Sequence, residues 1–331
     1  AWRQGLRGIV AGAAVTFLLL SYQGELLALR ARRPVADRAM VETAERIRAS
    51  TVPEAVINTW WSSGYVYSAL AGRGVVLDGG SLAQERIYWY SRALTATDEG
   101  EALSLLRWID CGVEGYLLDL LSRHATRAEA AFTMAELARV PTPRERHAFL
   151  RRKGYSSANV KAIGETLACR PAQAWMVLSS DLLGQTAAWA RYGLWTPADG
   201  PLPPPSASVT QPLACSLVPG GFTCANGRTV DILRDGWRDF TTPGHLAAMG
   251  PAEDGWRPVV HQVRDLLALT YVREEIADSL FARLYFFRGS GLPRLQLMSD
   301  IRYPPFTRRV LSYRIEWPET SEGSAATKEL R

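Results

Sequence analysis

The hydrophobic pattern begins with an uninterrupted apolar run from Gly8 to Tyr22, preceded by Arg3 and Arg7. A membrane helix needs about 20 apolar residues, and flanking leucines extend this run toward that length. A signal peptide is the alternative, because a basic start and an apolar centre are typical of that segment too. We expect residues 1–24 to form a transmembrane helix. The basic residues before the run favour a cytoplasmic N-terminus, so the chain after about residue 24 is expected on the extracytoplasmic side.

Helical and strand patterns alternate over the next part of the chain. Apolar residues at helical spacing follow Asp37, and an apolar run after Pro53 is typical of a buried strand. The pattern predicts a helix over 37–47 capped by Asp37, a strand over 55–61, a helix from Ser62 or Ser63 to Leu70, and a strand over 75–78.

The region from residue 81 to residue 168 is predicted to be mostly helical. Capping boxes, in which a Ser or Thr is followed three residues later by Glu or Gln, open helices at Ser81, Thr126 and Thr142. The last of them has Pro143 at the first helical position and predicts a helix to about Arg152. A strand over 174–178 and a helix capped by Asp181 are expected to follow.

A proline-rich segment over 196–210 predicts a linker. Beyond it, the pattern predicts a β-hairpin over 213–233, a helix over 259–283 and a strand over 311–317. We therefore expect an α+β fold. Residues 25–197 would form a mainly helical mixed core with short strands, and residues 198–331 a more β-rich peripheral part.

Composition narrows the classes of protein only slightly. The net charge is +5, but nearly all of the positive charge is arginine scattered along the chain, which does not favour nucleic-acid binding. Cys215 and Cys224 flank a turn-forming segment and are candidates for a disulfide, which leaves Cys111 and Cys169 as a possible second pair. Cysteine and histidine spacing gives no reason to expect zinc.

The segment Asn58–Gly64, with the sequence NTWWSSG, is the main candidate for a binding site. It lies where a predicted strand gives way to a helix, a position at which ligands often bind. Adjacent residues of a strand point to opposite faces, so one tryptophan can enter the core while the other lines the loop. Simple core packing of both tryptophans is the alternative.

This segment and its surroundings resemble the acceptor-recognition region of oligosaccharyltransferase catalytic subunits of the archaeal and bacterial type, which carry a W-W-D-x-G signature. The similarity extends, in the same order, over most of the chain. It includes Asp78-Gly79-Gly80, Cys111-Gly112, Cys169-Arg170-Pro171, the run from Leu178 to Gln185, Trp189, Trp195, the run from Cys224 to Gly227 and the run from Phe281 to Phe286. By this resemblance the chain is the extracytoplasmic C-terminal domain with the last transmembrane helix attached.

The resemblance implies an enzyme that transfers a glycan from a lipid diphosphate carrier to an asparagine in an N-x-S/T sequence. The partners implied are an acceptor polypeptide, a lipid-linked oligosaccharide and the membrane. A divalent metal, magnesium or manganese, is also implied, but the family's catalytic carboxylates and metal ligands precede the last span and are absent from this sequence. No catalytic residue is therefore expected here, and the segment alone should be inactive.

When the family signature is aligned with this sequence, the acceptor-binding motif includes Trp60, Trp61 and Gly64. Ser62 stands where the family has aspartate. Asp181 matches a second family aspartate, but Gln185 stands where lysine is expected. Both departures remove charge from the implied pocket, and a charged hydrogen bond is about twice as strong as a neutral one. A non-catalytic extracytoplasmic module that binds peptide or glycan is therefore the alternative, and a helix cap is the alternative role of Asp181.

Overall fold

The computed structural model describes residues 36–80, 84–196, 202, 210–213, 215–225, 227, 229–232, 236–243, 245–263, 266–303 and 308–317. The transmembrane helix expected over 1–24 and the capping box at Ser81 fall outside these ranges, as does most of the predicted linker. Within the described ranges, no helix has both the length and the apolar character needed to span a bilayer.

The described chain is an α+β fold built on a five-stranded mixed sheet. Its strands are β1 (Val56–Asn58), β2 (Gly74–Val75), β3 (Ala174–Ser179), β12 (Leu295–Arg302) and β13 (Arg309–Ile315), in the order β12-β13-β3-β1-β2. Strand β1 pairs in parallel with β2 and β3, whereas β13 runs antiparallel to β3 and β12. The sheet therefore draws strands from both sides of residue 198.

Helices cover both faces of this sheet. Alternate residues of β3 separate two cores, with Met176 facing one and Trp175 the other, as the two-residue period of a strand requires. One face is covered by α1 (Arg38–Ser50) and α2 (Trp61–Ala71). The other is covered by α3 (Gln84–Thr95), α4 (Glu99–Asp110), α5 (Glu114–Ser122), α6 (Arg127–Ala138), α7 (Pro143–Arg152), α8 (Ser157–Leu167), α9 (Ser180–Gly184) and α10 (Thr186–Leu194).

The helix starts predicted from capping signals are largely confirmed. The Asp37 side chain accepts a hydrogen bond from the backbone N–H of Met40 at 3.0 Å and caps α1. Thr126 and Thr142 both form complete capping boxes, and Pro143 occupies the first turn of α7. Each box satisfies backbone N–H groups that a helix start otherwise leaves without a partner.

The helix predicted over 259–283 is wrong for most of its length. Two antiparallel strands, β10 (Trp256–Val263) and β11 (Leu266–Arg273), occupy its first half, and α11 (Glu274–Ala277) and α12 (Leu280–Tyr285) follow. The pattern also fits strands, because Val259, Val260 and Tyr271 are of residue types that favour extended structure. Val260 and Tyr271 are buried in a third core, which includes Phe222, and Val259 is buried in the main core, so burial on both faces stabilises the strands.

The remaining strands make the second half of the described chain rich in β-structure. A five-stranded sheet has the order β4-β11-β10-β9-β8, and a three-stranded sheet has the order β5-β6-β7. The strands are β4 (Thr210–Leu213), β5 (Cys215–Val218), β6 (Gly221–Cys224), β7 (Thr229–Asp231), β8 (Arg238–Asp239) and β9 (Ala247–Met249). The predicted hairpin is confirmed in β5 and β6.

Two disulfides join the four cysteines. Cys215 pairs with Cys224 across the β5–β6 hairpin, and Cys111 at the end of α4 pairs with Cys169 shortly before β3. Both pairings agree with the sequence-based expectation.

Candidate functional site

The double tryptophan lies at the turn from β1 into α2, at the carboxyl end of β1 in the main sheet. The predicted strand over 55–61 ends earlier, at Asn58, and the helix begins at Trp61 rather than after Ser62 or Ser63. Trp60 occupies the cap position without a side-chain cap bond, and Ser63 N–H donates to its carbonyl at 2.9 Å. The serines therefore lie within the first helical turn.

The two tryptophans have opposite environments. Trp60 is buried and its ring lies 6.3 Å from that of Tyr90, in a stacked arrangement. Trp61 is 38% exposed, and Tyr65, one helical turn further on, is 48% exposed. Residues four apart lie on the same helix face, so Trp61 and Tyr65 form an exposed aromatic strip beside the turn.

Gln185 links Trp60 to Ser62 across the fold. Its Oε1 accepts a hydrogen bond from the indole Nε1–H of Trp60 at 2.8 Å, and its Nε2 donates to Ser62 Oγ at 3.2 Å. Gln185 is the residue between α9 and α10, which places its amide opposite the turn. The structure thus brings Gln185 into contact with two residues that lie more than 120 positions before it in the sequence.

Asp181 has a different role from the helix cap considered above. Strand β3 extends through Ser179, which occupies the cap position of α9, so Asp181 falls in the first turn. Its carboxylate lies 2.9 Å from Arg308 Nε, which is also 3.5 Å from Asp37. Among the described residues, Asp181 is bound to this arginine rather than to Ser62 or Gln185.

Gly64 sits where α2 passes closest to the segment after β2. A Cβ atom on Gly64 would stand 1.8 Å from the carbonyl oxygen of Leu77, a backbone atom that cannot swing away. Only glycine permits this approach of the helix to the neighbouring backbone. Its place in the motif therefore has a structural cause, and it brings Asp78 beside the turn.

A buried polar group beneath the turn was not predicted from the sequence. Asn58 Nδ2 donates to Asp110 Oδ2 at 3.0 Å, and the Oδ1 atoms of both residues are buried without a hydrogen-bond partner among the described residues. Burial raises the pKa of Asp110 well above its usual range; Asn58 opposes this shift and the charge of Glu114 adds to it. The sequence signal for this contact was weak: Asn58 is the polar last residue of β1, and Asp110 is the polar last residue of α4.

The described residues do not contain a site for the divalent metal that the family resemblance implies. No group of three or more His, Cys, Asp or Glu side chains comes together within them. The residues present therefore do not fit the divalent metal that the resemblance implies, and no step that depends on a metal is derived from them.

The geometry defines an α+β domain with an aromatic turn whose polar groups are linked by a glutamine. No protein-family model matches the chain. It is 25% identical over 167 residues to a dolichyl-phosphooligosaccharide-protein glycotransferase of Methanocaldococcus jannaschii, a match that covers 49% of this chain and 18% of the relative. It is 30% identical over 87 residues to the protein of the same name from Methanococcus voltae, covering 26% of this chain and 10% of the relative.

These two similarities confirm the resemblance to the oligosaccharyltransferase family, although the match spans less than a fifth of the length of either curated relative. A solved structure described as the C. jejuni PglB C-terminal domain aligns with a TM-score of 0.45 and 11% identity. That alignment covers 84% of this chain and 100% of the other.

Proposed function

We propose that this chain is the acceptor-recognition domain of a membrane oligosaccharyltransferase, which transfers a glycan from a lipid diphosphate to asparagine in an N-x-S/T acceptor. The observation that carries the proposal is the hydrogen-bonded set of Trp60, Gln185 and Ser62 beside exposed Trp61. Catalytic carboxylates and the divalent metal would come from parts of the enzyme outside this chain. The domain would lie on the extracytoplasmic side, where disulfides form and persist.

Ser62 would contact the hydroxyl group of the acceptor Ser or Thr. Gln185 already donates to Ser62 Oγ, which leaves the Ser62 proton to be donated to an acceptor hydroxyl. A carboxylate at this position could only accept. The pocket therefore offers a neutral donor in place of a charged acceptor, and we expect weaker discrimination for the hydroxyl than a W-W-D motif provides. Trp61 would supply an apolar wall for a threonine methyl group.

One observation favours the second candidate, a non-catalytic module that binds peptide or glycan. The Trp60 indole has one N–H, and Gln185 already accepts it at 2.8 Å. An acceptor hydroxyl can receive that proton only if Gln185 moves away. Ser62→Asp in the intact parent protein separates the two candidates, because an enzyme should transfer more glycan to threonine acceptors, whereas a binder should transfer none with either residue.

Peptide binding to the present chain tests recognition itself. We expect an Asn-Ala-Thr peptide to bind more tightly than an Asn-Ala-Ala peptide, and Trp61→Ala to reduce the difference, because it deletes the exposed wall for the threonine methyl group and leaves the Ser62 hydroxyl in place. Nuclear magnetic resonance titration measures both affinities. Tyr116→Ala is the matched control, since Tyr116 is 54% exposed on α5, outside the turn. Equal binding of the two peptides by the wild-type chain would contradict the proposal.

A further inference from the structure

A cavity of about 330 Å³ lies where the start of α4 meets the connection between α6 and α7. Its charged lining consists of four arginines and two acids, Arg107, Arg139, Arg146, Arg294, Asp98 and Glu99. None of them belongs to the set formed by Trp60, Ser62 and Gln185. The cavity is therefore a separate feature of the molecule with an excess of positive charge.

The two acids in the lining, Asp98 and Glu99, both accept hydrogen bonds from backbone N–H groups. Asp98 caps α4 by accepting from the N–H of Glu101 at 2.7 Å, and Glu99 Oε1 accepts from the backbone N–H of Arg294 at 3.1 Å. One of the four arginines, Arg139, forms an ion pair with Glu101 at 2.9 Å. Among the described residues, Arg146 and Arg294 form no ion pair, so their positive charges in the lining are not matched by a contacting carboxylate.

Arg146 is held in place by neutral groups. Its Nε donates to the Val140 carbonyl at 2.8 Å and one terminal nitrogen donates to Ser104 Oγ at 3.0 Å. Within the described ranges, no carboxylate lies at ion-pair distance from it. Burial, and then the charge of Arg107, lowers the pKa of Arg146 to about 10, so the guanidinium remains charged at neutral pH.

Arg107 adds a second buried positive charge. Only 7% of it is exposed, and its guanidinium lies 5.4 Å from the centre of the Trp317 ring. Burial lowers the pKa of Arg107, and the charges of Arg170 and Arg294 lower it further. Repulsion among arginines is a cost that an anion in the cavity would remove.

Trp108 provides a donor as well as a wall. It lines the cavity and is fully buried, and its indole N–H has no acceptor among the described residues. Buried donors are nearly always paired in native proteins, so an unpaired indole beside buried arginines indicates a missing acceptor.

From these contacts we propose that the cavity between α4 and α7 binds a phosphate group through Arg107, Arg146 and Arg294. The planar guanidinium matches the oxygens of a phosphate in paired hydrogen bonds, and arginine is the side chain preferred for this recognition. The volume accommodates a phosphate with part of the molecule that carries it. A soluble phosphate compound and a lipid headgroup share this chemistry.

Calorimetric titration of the full chain with inorganic phosphate, in low-salt buffer without other multivalent anions, tests the proposal. We expect saturable one-site binding that Arg146→Gln and Arg294→Gln each weaken by about tenfold or more, because each removes charge-assisted hydrogen bonds. Arg151→Gln is the matched control, since Arg151 is exposed at the end of the same helix, α7. It should change the affinity by less than about twofold, as expected for a distant surface charge.

The variants also separate loss of binding from loss of folding. Arg294 is exposed, so Arg294→Gln should retain the wild-type circular dichroism and melting temperature even where Arg146→Gln does not. Tighter binding of soluble dihexanoyl phosphatidic acid than of inorganic phosphate, lost in Arg294→Gln, would assign the site to a lipid headgroup. Equal affinity for both would assign it to a soluble phosphate. Absence of saturable binding, or binding unchanged in Arg294→Gln, would overturn the proposal.

Discussion

At the scale of single residues, Asp110 is a buried carboxyl group whose protonation is changed by its surroundings. Burial raises its pKa, so the folded protein keeps a proton that the unfolded chain releases. Stability linked to this group is therefore present at pH below the ordinary carboxyl pKa and is lost as the pH rises through the raised value. Asp110→Asn removes the titration, and its new amide can donate to Asn58 Oδ1, which has no donor among the described residues.

We expect Asp110→Asn to leave the free energy of unfolding nearly unchanged at pH 4 and to raise it by about 1–3 kcal/mol at pH 8, the usual cost of a poorly satisfied buried polar group. Urea unfolding at pH 4 and at pH 8 measures this change in the free energy of unfolding. The control is Asp119→Asn, because the Asp119 side chain is 63% exposed; it should shift stability by less than about 1 kcal/mol. A gain in stability that is the same at both pH values would contradict a raised pKa of Asp110 in the folded protein.

At the scale of elements, the packing of α2 depends on the absence of a side chain at Gly64. Gly64→Ala places a carbon against the Leu77 carbonyl, so α2 or the segment after β2 must move. Overpacking against backbone costs about 1–3 kcal/mol or more, which outweighs the gain in helix propensity. We expect thermal unfolding to show this loss. Gly115→Ala in α5 is the control, since its Cβ meets nothing within 4 Å, and should be neutral or stabilising.

Predictability also differed from element to element. Helices that open with local signals, such as Thr126 with Glu129, were predicted because the residues that define them are three positions apart. The hairpin of β10 and β11 was missed because its strands gain stability from a distant core containing Phe222 and from pairing with β4 and β9. Local periodicity carries no information about such partners. The start of α2 at Trp61 was also missed. The residue before it, Trp60, is held by a hydrogen bond to Gln185, which is distant in the sequence.

At the scale of the whole molecule, the candidate site is assembled from contacts that no local pattern specifies. The sequence pattern placed the double tryptophan at a strand end, but only the family resemblance singled out Gln185 and associated it with this motif. The hydrogen bonds then fixed what the resemblance could not, namely that Gln185 uses both ends of its amide. The arginine cavity was not predicted, because its members come from α4, α7 and the segment before β12.

The two disulfides should contribute unequally to the stability of the whole chain. Cys111 and Cys169 are 58 positions apart, whereas Cys215 and Cys224 are 9 apart. A cross-link restricts the unfolded chain more when it closes a longer loop, which in the chain-entropy estimate gives about 4 kcal/mol for the first pair and about 2.5 kcal/mol for the second. The first also ties the end of α4, beside Asp110, to the segment that leads into β3.

We therefore expect the double variant Cys111→Ser with Cys169→Ser to lose more free energy of unfolding than Cys215→Ser with Cys224→Ser, measured by urea denaturation under non-reducing conditions. Each pair serves as the control for the other, because both remove one disulfide and add two hydroxyl groups. Adding a reductant should bring the wild-type chain below either variant. The reverse order would mean that strain or residual structure in the unfolded chain, rather than loop length, sets the contribution of these cross-links.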